Sequence, residues 1–363
     1  MTAQPSSPNL PAGPRIFVQG VGGIGGVVAT RLLAAGYDVL PITGNPAIAQ
    51  VLNQSGFRLE GLSGSLNVPL RSPAQAQLAA DTAPCDLLLL ATPPSRLEEA
   101  LASSAPFLAP HSFVVCFQNG LPEDRARRYV PPHQLLGAIL SWGANMPRPG
   151  EYVETSSGSI QLGRYQGNLD ESVEQVAQIL RHVAPVTLVE NLQGVRWSKL
   201  AINAAISTLG AVGGERLGQL LISLTVRRLF LEVVSEVVQV ASRQQIQLER
   251  VNGTFDLTKL AVTPEERQSR LGTPSLLAKH TLLLAVGLHY RRMRSSMLYA
   301  LERGRAPGAE YLNGEVVARG QAVGVEAPIN RALLETVQKI AAGQENSGLE
   351  TLERLYQTAL TRK

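Results

Sequence analysis

Short apolar runs alternate with glycines and an Ala/Leu-rich stretch from Arg15 to Leu40, giving a strand, a glycine turn, a helix stopped at Gly36 and a second strand. That order of periods predicts a βαβ unit. Continuous apolar runs at Cys85 to Ala91, Phe113 to Phe117 and Leu135 to Leu140 predict further strands, and Ser95 to Ser103 carries helical spacing between two of them. Such alternation is the period of a doubly wound parallel sheet. Tyr152 to Leu162 alternates like an antiparallel strand.

Beyond about residue 190 the strand signals vanish. Leu192 to Val212, Glu215 to Gln244, Thr273 to Arg292 and Pro328 to Ala342 all carry helical periodicity, and a polar insert from Gln247 to Ser269, with Asn252-Gly253 and Thr263-Pro264, should link two of these helices. The expected fold is therefore α/β: an N-terminal Rossmann-type sheet followed by an all-helical C-terminal domain. The boundaries expected are a disordered tail at 1–13, a dinucleotide-binding domain at 14–190 and a helical substrate or dimerisation domain at 191–363. A length of 363 residues suits two domains. The apolar helix from Leu220 to Val240 suits a homodimer surface or an internal core equally.

Composition narrows the class. With 44% hydrophobic and 17% charged residues the chain is neither disordered nor collagenous. Its two cysteines, Cys85 and Cys116, sit in strand-like apolar runs and read as free core thiols of a reducing compartment. No apolar run approaches the roughly 18 residues needed to span a bilayer, and Met1 to Gly13 lacks the basic start and apolar centre of a secretory signal. A cytoplasmic protein without membrane partners is expected. Residues 1–190 hold 11 Arg, no Lys and 14 acids, so the basic excess lies in the second part. It comes in short groups such as Arg227-Arg228 and Arg291-Arg292, which fits small anionic ligands rather than nucleic acid. The group Lys279, Arg291, Arg292 and Arg294 could draw in a carboxylate or simply form a solvated face. His280 and His289 have no Cys or acid to complete a metal set, so no metal is expected.

Two features carry chemistry. Gly20-Val21-Gly22-Gly23-Ile24-Gly25 is G-x-G-x-x-G between strand and helix, a dinucleotide-binding turn: the first glycine permits the turn, the second admits a pyrophosphate, and the third lets helix pack on strand. NAD enzymes place an acid at the end of the second strand; here stands Thr43-Gly44-Asn45, whose hydrogen-bonding Thr43 and Asn45 favour NADPH/NADP. The second feature is a stripe: Lys199, Asn203 and Ser207 fall at i, i+4 and i+8 on one helical line. Lys199 is the only charge between Arg196 and Glu215, in a chain of 28 Arg and 5 Lys. A desolvated lysine can surrender a proton that arginine keeps, so Lys199 is the candidate general acid.

With Gln118-Asn119-Gly120, Trp197-Ser-Lys-Leu-Ala-Ile-Asn203, Ser295-Ser296-Met297-Leu298, Glu302-Arg-Gly-Arg305 and Tyr311-Leu-Asn-Gly314 added to the glycine turn, nearly the whole chain resembles the ketopantoate reductase family, two-domain enzymes of the 6-phosphogluconate dehydrogenase-like group. The resemblance implies NADPH-dependent reduction of 2-dehydropantoate to (R)-pantoate, a step toward coenzyme A, in a cleft between the domains. It further implies Lys199 as proton donor to the carbonyl oxygen, Asn203 and Ser296 as substrate-binding residues, and Asn119 beside both nicotinamide and substrate. The family's acid falls on Gly308, leaving Glu310 as its stand-in for substrate binding. The family's second helix asparagine is Ser207, its cofactor-contacting lysine falls near Pro93 in Thr92-Pro-Pro-Ser-Arg96, and its phosphate-binding arginine falls at Gly44, so that Arg96 could replace one lost cation. These departures keep two alternatives open: an NADPH reductase of another 2-keto acid or ketone, and a non-catalytic NADP-binding sensor.

Overall fold

The computed structural model describes residues 10, 13–62, 64–268 and 272–360. The chain divides into two compact units that meet in sequence at Leu192 and Gln193. Most of the tail expected at 1–13 lies outside the described residues; Leu10, within them, donates its backbone N–H to Gln175 Oε1 and packs on the core of the first unit.

In that unit the chain runs β1 (Arg15–Gln19), α1 (Gly23–Ala34), β2 (Asp38–Ile42), α2 (Pro46–Ser55), β3 (Phe57–Gly61), β4 (Gly64–Val68), β5 (Cys85–Leu90), α3 (Leu97–Ser104), β6 (Leu108–Cys116), α4 (Pro122–Ala126), β7 (Leu135–Leu140), β8 (Gly143–Arg148), β9 (Glu151–Ser156), β10 (Ile160–Arg164), α5 (Glu171–Arg181) and β11 (Val186–Leu188). The main sheet has the order β11-β10-β7-β6-β5-β1-β2. Its five strands from β7 to β2 are parallel, and β10 joins β7 antiparallel. Leucine-rich β5 is a strand because both its faces are buried, a situation in which burial outweighs intrinsic propensity. Alternation divides the sheet between two cores. Ile16, Val18, Leu87, Leu89 and Val115 join the core that holds Val28 and Leu32 of α1 and Val176 of α5; Phe17, Leu88, Leu90, Val114 and Cys116 join Leu97 and Leu101 of α3 and Ala126 of α4. Burial pushes the Cys85 thiol up to about 12, which keeps it an unreactive packing group.

The single antiparallel strand expected from Tyr152 to Leu162 is instead two strands in different sheets. β9 lies in a four-stranded sheet of order β4-β3-β9-β8, pairing parallel with β3 and antiparallel with β8, whereas β10 belongs to the main sheet. The switch falls at Gly158, where any Cβ would collide with the Ser141 carbonyl, and Ser141 Oγ and Ser159 exchange hydrogen bonds across it. The smaller sheet packs on α1. The hairpin from Phe57 to Val68 and the strand β8 were not foreseen, since β4 is exposed along most of its length and offers little apolar alternation.

From the boundary onward the structure is helical: α6 (Leu192–Gly213), α7 (Leu217–Leu220), α8 (Leu224–Arg243), α9 (Pro264–Gln268), α10 (Pro274–His289), α11 (Ser296–Glu302), α12 (Asn313–Ala322), α13 (Pro328–Ala341) and α14 (Leu349–Leu360). The run expected as one helix from Glu215 to Gln244 breaks at Leu221–Ser223, because the Ser223 hydroxyl caps a new helix at Val226 N. Helix α8 is buried on nearly all sides and packs against α10, α12, α13 and α14, so its apolar pattern serves the core of this unit. The polar insert also contributes core, burying Val251, Leu257, Leu260 and Val262.

Candidate active site

The glycine turn joins β1 to α1, and each glycine has a separate reason. Gly20 adopts φ +97°, and a Cβ there would sit 2.7 Å from Thr92 N. Cβ atoms at Gly23 and Gly25 would collide with the carbonyls of Ala144 and Gly20, so these two permit the close passage of β8 and of the turn itself. Gly22 is different. Nothing lies within 4 Å of the position its Cβ would take. It stands at the N-cap of α1, a helix start that no side chain caps, so amide donors and the positive end of the helix dipole are left for an anion.

A cavity of about 660 Å³ opens on this turn, lined by Gly20, Val21, Gly22, Gly23 and Ile24, by Thr43 and Asn45 after β2, and by Gln118 and Asn119 after β6. Gly25 is the one member of the fingerprint outside this lining, consistent with its packing role. Thr43 is buried, and its Oγ1 accepts the Asn45 N–H; Asn45 Oδ1 in turn caps α2 at Ala47 N (3.0 Å), which leaves the Asn45 amide nitrogen as donor. Gln118 Nε2 donates to Thr92 Oγ1 (3.2 Å) and so ties the loop after β6 to the loop after β5. Arg96 also lines the cavity. The uncapped helix start and the open position at Gly22 together fit the pyrophosphate of a dinucleotide.

Sequence reasoning missed two parts of this construction. Ala144 of β8 lines the cavity, and Tyr152 of β9 donates its hydroxyl to Val21 O (3.1 Å). Tyr152 sits within the alternating segment already singled out, but only the pairing of the second sheet shows that its ring meets α1.

In the second unit, Lys199, Asn203 and Ser207 stand on α6, each half-buried, between fully buried Leu200, Ala204 and Thr208. Burial, and secondarily the Arg196 guanidinium, hold the Lys199 ammonium below the usual lysine range of 10.5. Ser295 caps α11 through its own Oγ, which accepts from Met297 N (3.1 Å) and Leu298 N (3.2 Å) and donates to Ser207 O (2.7 Å). Gly210 allows this approach, since a Cβ there would lie 2.6 Å from the Ser295 Cβ. Ser296 follows as an exposed residue at the start of α11. Behind the stripe, the Thr208 hydroxyl donates to Asn313 Oδ1, the Asn313 amide to Asn330 Oδ1 (3.0 Å), and the Asn330 amide to Glu236 Oε2 (2.7 Å). This buried chain of polar groups fixes α6 against α12, α13 and α8.

Other expected residues are placed differently. Glu310 is exposed on the single turn Ala309–Tyr311, directly after Gly308 at φ +77°. Lys279 is not part of a solvated basic group: it is buried, and its Nζ donates to Glu266 Oε2 and Ala261 O, both at 2.6 Å. Arg294 pairs with Glu302 at 2.5 Å. A larger cavity of about 1140 Å³, between the insert and helices α8 and α10, includes Ser198 and Lys279 but none of the residues of the stripe.

A mostly parallel sheet with a glycine turn at the end of β1, followed by a helical unit bearing a half-buried lysine, has the organisation of a dinucleotide-dependent oxidoreductase. The family model described as ketopantoate reductase PanE/ApbA matches residues 16–167, and that for its C-terminal part matches residues 191–341. The chain belongs to the ketopantoate reductase family, oxidoreductases that act on a keto group. It is similar to 2-dehydropantoate 2-reductases of Archaeoglobus fulgidus (25% identity, covering 91% of this chain and 98% of that one) and Pyrococcus abyssi (28%, covering 88% and 95%). Among solved structures it resembles a PanE/ApbA family ketopantoate reductase from Ralstonia eutropha (TM-score 0.76, 23% identity, covering 92% and 100%) and D-mandelate dehydrogenase with NADH and anilino(oxo)acetate (TM-score 0.74, 20% identity, covering 91% and 99%). No described helix is long and apolar enough to cross a membrane.

Proposed function

We propose that this chain reduces 2-dehydropantoate to (R)-pantoate with NADPH, Lys199 serving as general acid. The observation that carries the reading is the placement of Lys199: a half-buried lysine at the head of the polar line Lys199, Asn203, Ser207 on α6, held below its ordinary range chiefly by burial. A bound reduced nicotinamide supplies the hydride. The residues of the chain then have three tasks. Gly22 and the first amides of α1 bind the pyrophosphate; Asn119, beside the turn, orients nicotinamide and substrate; and Lys199 gives its proton to the carbonyl oxygen as negative charge develops there. Asn203, Ser296 and Glu310 are assigned to hold the substrate. A positioned acid of this kind contributes roughly 10²- to 10⁴-fold to such a reaction.

A second reading changes the substrate only. Gly308 turns the chain where an acid is expected and leaves Glu310 exposed on the following turn, so a 2-keto acid without pantoate's hydroxyl would lose little here. D-mandelate dehydrogenase, with the same fold, acts on a different 2-hydroxy acid. The deciding experiment follows NADPH absorbance with ketopantoate and a panel of 2-keto acids, for the wild type beside Lys199→Ala. Turnover of ketopantoate that collapses in the variant supports the first reading, and a preference for another keto acid selects the second. Tight nucleotide binding with no turnover of any ketone would replace both with a sensor.

A further inference from the structure

We infer that Arg96 is the residue that selects a 2'-phosphorylated dinucleotide and that Glu99 holds it in place until the nucleotide binds. The inference rests on the nucleotide reading above and concerns which nucleotide the cavity prefers. Dinucleotide sites discriminate at the end of the second strand, where an acid bonds the free ribose hydroxyl or a nearby arginine accepts the 2'-phosphate. Here that place is Gly44, and it carries no side chain. A Cβ at Gly44 would lie 3.5 Å from Arg96 Nη2. The guanidinium therefore lies in ordinary van der Waals reach of a Cβ at 44, beside the end of the second strand, although it comes from the loop after β5. That loop is held: Arg125 Nη1 donates to Pro94 O (3.0 Å), and Arg96 N bonds Pro93 O (2.9 Å).

Charge explains the rest. Arg96 pairs with Glu99 Oε1 at 2.7 Å, and both side chains are more than half exposed (56% and 65%), so the pair is weak and easily exchanged. A 2'-phosphate carries more charge than one carboxylate and offers three acceptors, and arginine meets it with a planar fork. On binding, the guanidinium leaves Glu99 for the phosphate, while the Asn45 amide nitrogen supplies a neutral donor beside it. Glu99, also on the cavity wall, then opposes the phosphate as a like charge.

The test is equilibrium binding to the full chain, using NADPH, NADH, 2',5'-ADP and 5'-AMP as probes. Arg96→Ala should weaken NADPH and 2',5'-ADP by roughly 10- to 100-fold and leave NADH and 5'-AMP unchanged. Arg96→Lys should fall between, keeping the charge without the fork. Glu99→Gln should tighten NADPH a few-fold and not NADH. A wild type that prefers NADPH, with the preference intact in Arg96→Ala, overturns the inference while leaving the cofactor reading in place. A wild type that binds NADH as well as NADPH overturns both.

Discussion

The Tyr152 hydroxyl donates to the Val21 carbonyl at 3.1 Å, and the Tyr152 ring fills the space that Gly26 leaves on the face of α1. One side chain of the smaller sheet thus holds both the glycine turn and the first turns of the helix whose start faces the nucleotide cavity. Arg31 of α1 adds a second clamp, pairing with Glu154 at 2.6 Å.

Removing the hydroxyl and crowding the ring should have separable effects. Tyr152→Phe keeps the packing and leaves a buried carbonyl without its donor, at a cost of about 1–2 kcal/mol. Gly26→Ala puts a methyl group into the ring and should cost about 1–3 kcal/mol or more. Urea unfolding measures both. Dinucleotide affinity should fall in Tyr152→Phe as well, since the turn loses its anchor; an unchanged affinity would mean that the turn is held without it.

Gly22→Asp isolates binding from folding. The site has open space, its φ of −72° suits any residue, and aspartate is a favoured N-cap. Helix α1 should be as stable as before or more so, while the carboxylate occupies the pyrophosphate position with the wrong charge. The expected result is an unchanged or raised midpoint of thermal unfolding together with loss of dinucleotide binding by titration. Wild-type affinity in this variant would end the assignment of the turn.

Sequence reading and structure agree where local pattern and tertiary role coincide. The G-x-G-x-x-G turn, Cys85 to Leu90 and the line Lys199, Asn203, Ser207 were legible because a glycine fingerprint, the continuous apolar run of a strand buried on both faces and a polar line at i, i+4 and i+8 each leave a local trace. The second sheet was not legible. Strand β4 is almost wholly exposed, and β9 and β10 read as one segment because only Ser157, Gly158 and Ser159 separate them, too short a gap to mark a change of sheet. Lys279 misled for a different reason: in sequence it stands with other cations, and its partner Glu266 lies on another helix. Arg96 shows the same limit, since its distance to Gly44 arises from the meeting of two loops that follow different strands.

Lys199 should be tested by charge and by proton. Lys199→Arg keeps the positive charge but cannot release a proton near neutral pH, so kcat should fall by roughly 10²- to 10⁴-fold with smaller change in KM. The acid form is the active one, so the wild-type rate should decline as pH rises through the Lys199 value, and that decline should begin below the ordinary lysine value of 10.5. Lys199→Arg should lack this descending limb. A variant that retains both rate and limb would transfer the proton to another donor.

Glu236 makes a prediction about stability rather than rate. Its carboxylate accepts from Ile329 N (2.8 Å), Asn330 N (2.9 Å) and Asn330 Nδ2 (2.7 Å) at the start of α13, yet burial outweighs these donors and raises its pKa from 4.5 to about 7. The folded state therefore keeps a proton that the unfolded chain releases above 4.5. Below that value both states are protonated and the group is neutral in the balance. As pH rises from about 4.5 to about 7 the unfolded state binds fewer protons, so stability declines by up to about 1.4 kcal/mol per pH unit, and the slope ends once the folded carboxyl has ionised. Glu236→Gln removes the titration. It should lower stability overall, because the new amide N–H faces a backbone donor, but it should also flatten the pH dependence over this interval. Urea midpoints of the two proteins at several pH values across the interval measure the difference, and parallel curves would show that Glu236 is ionised in the folded protein throughout.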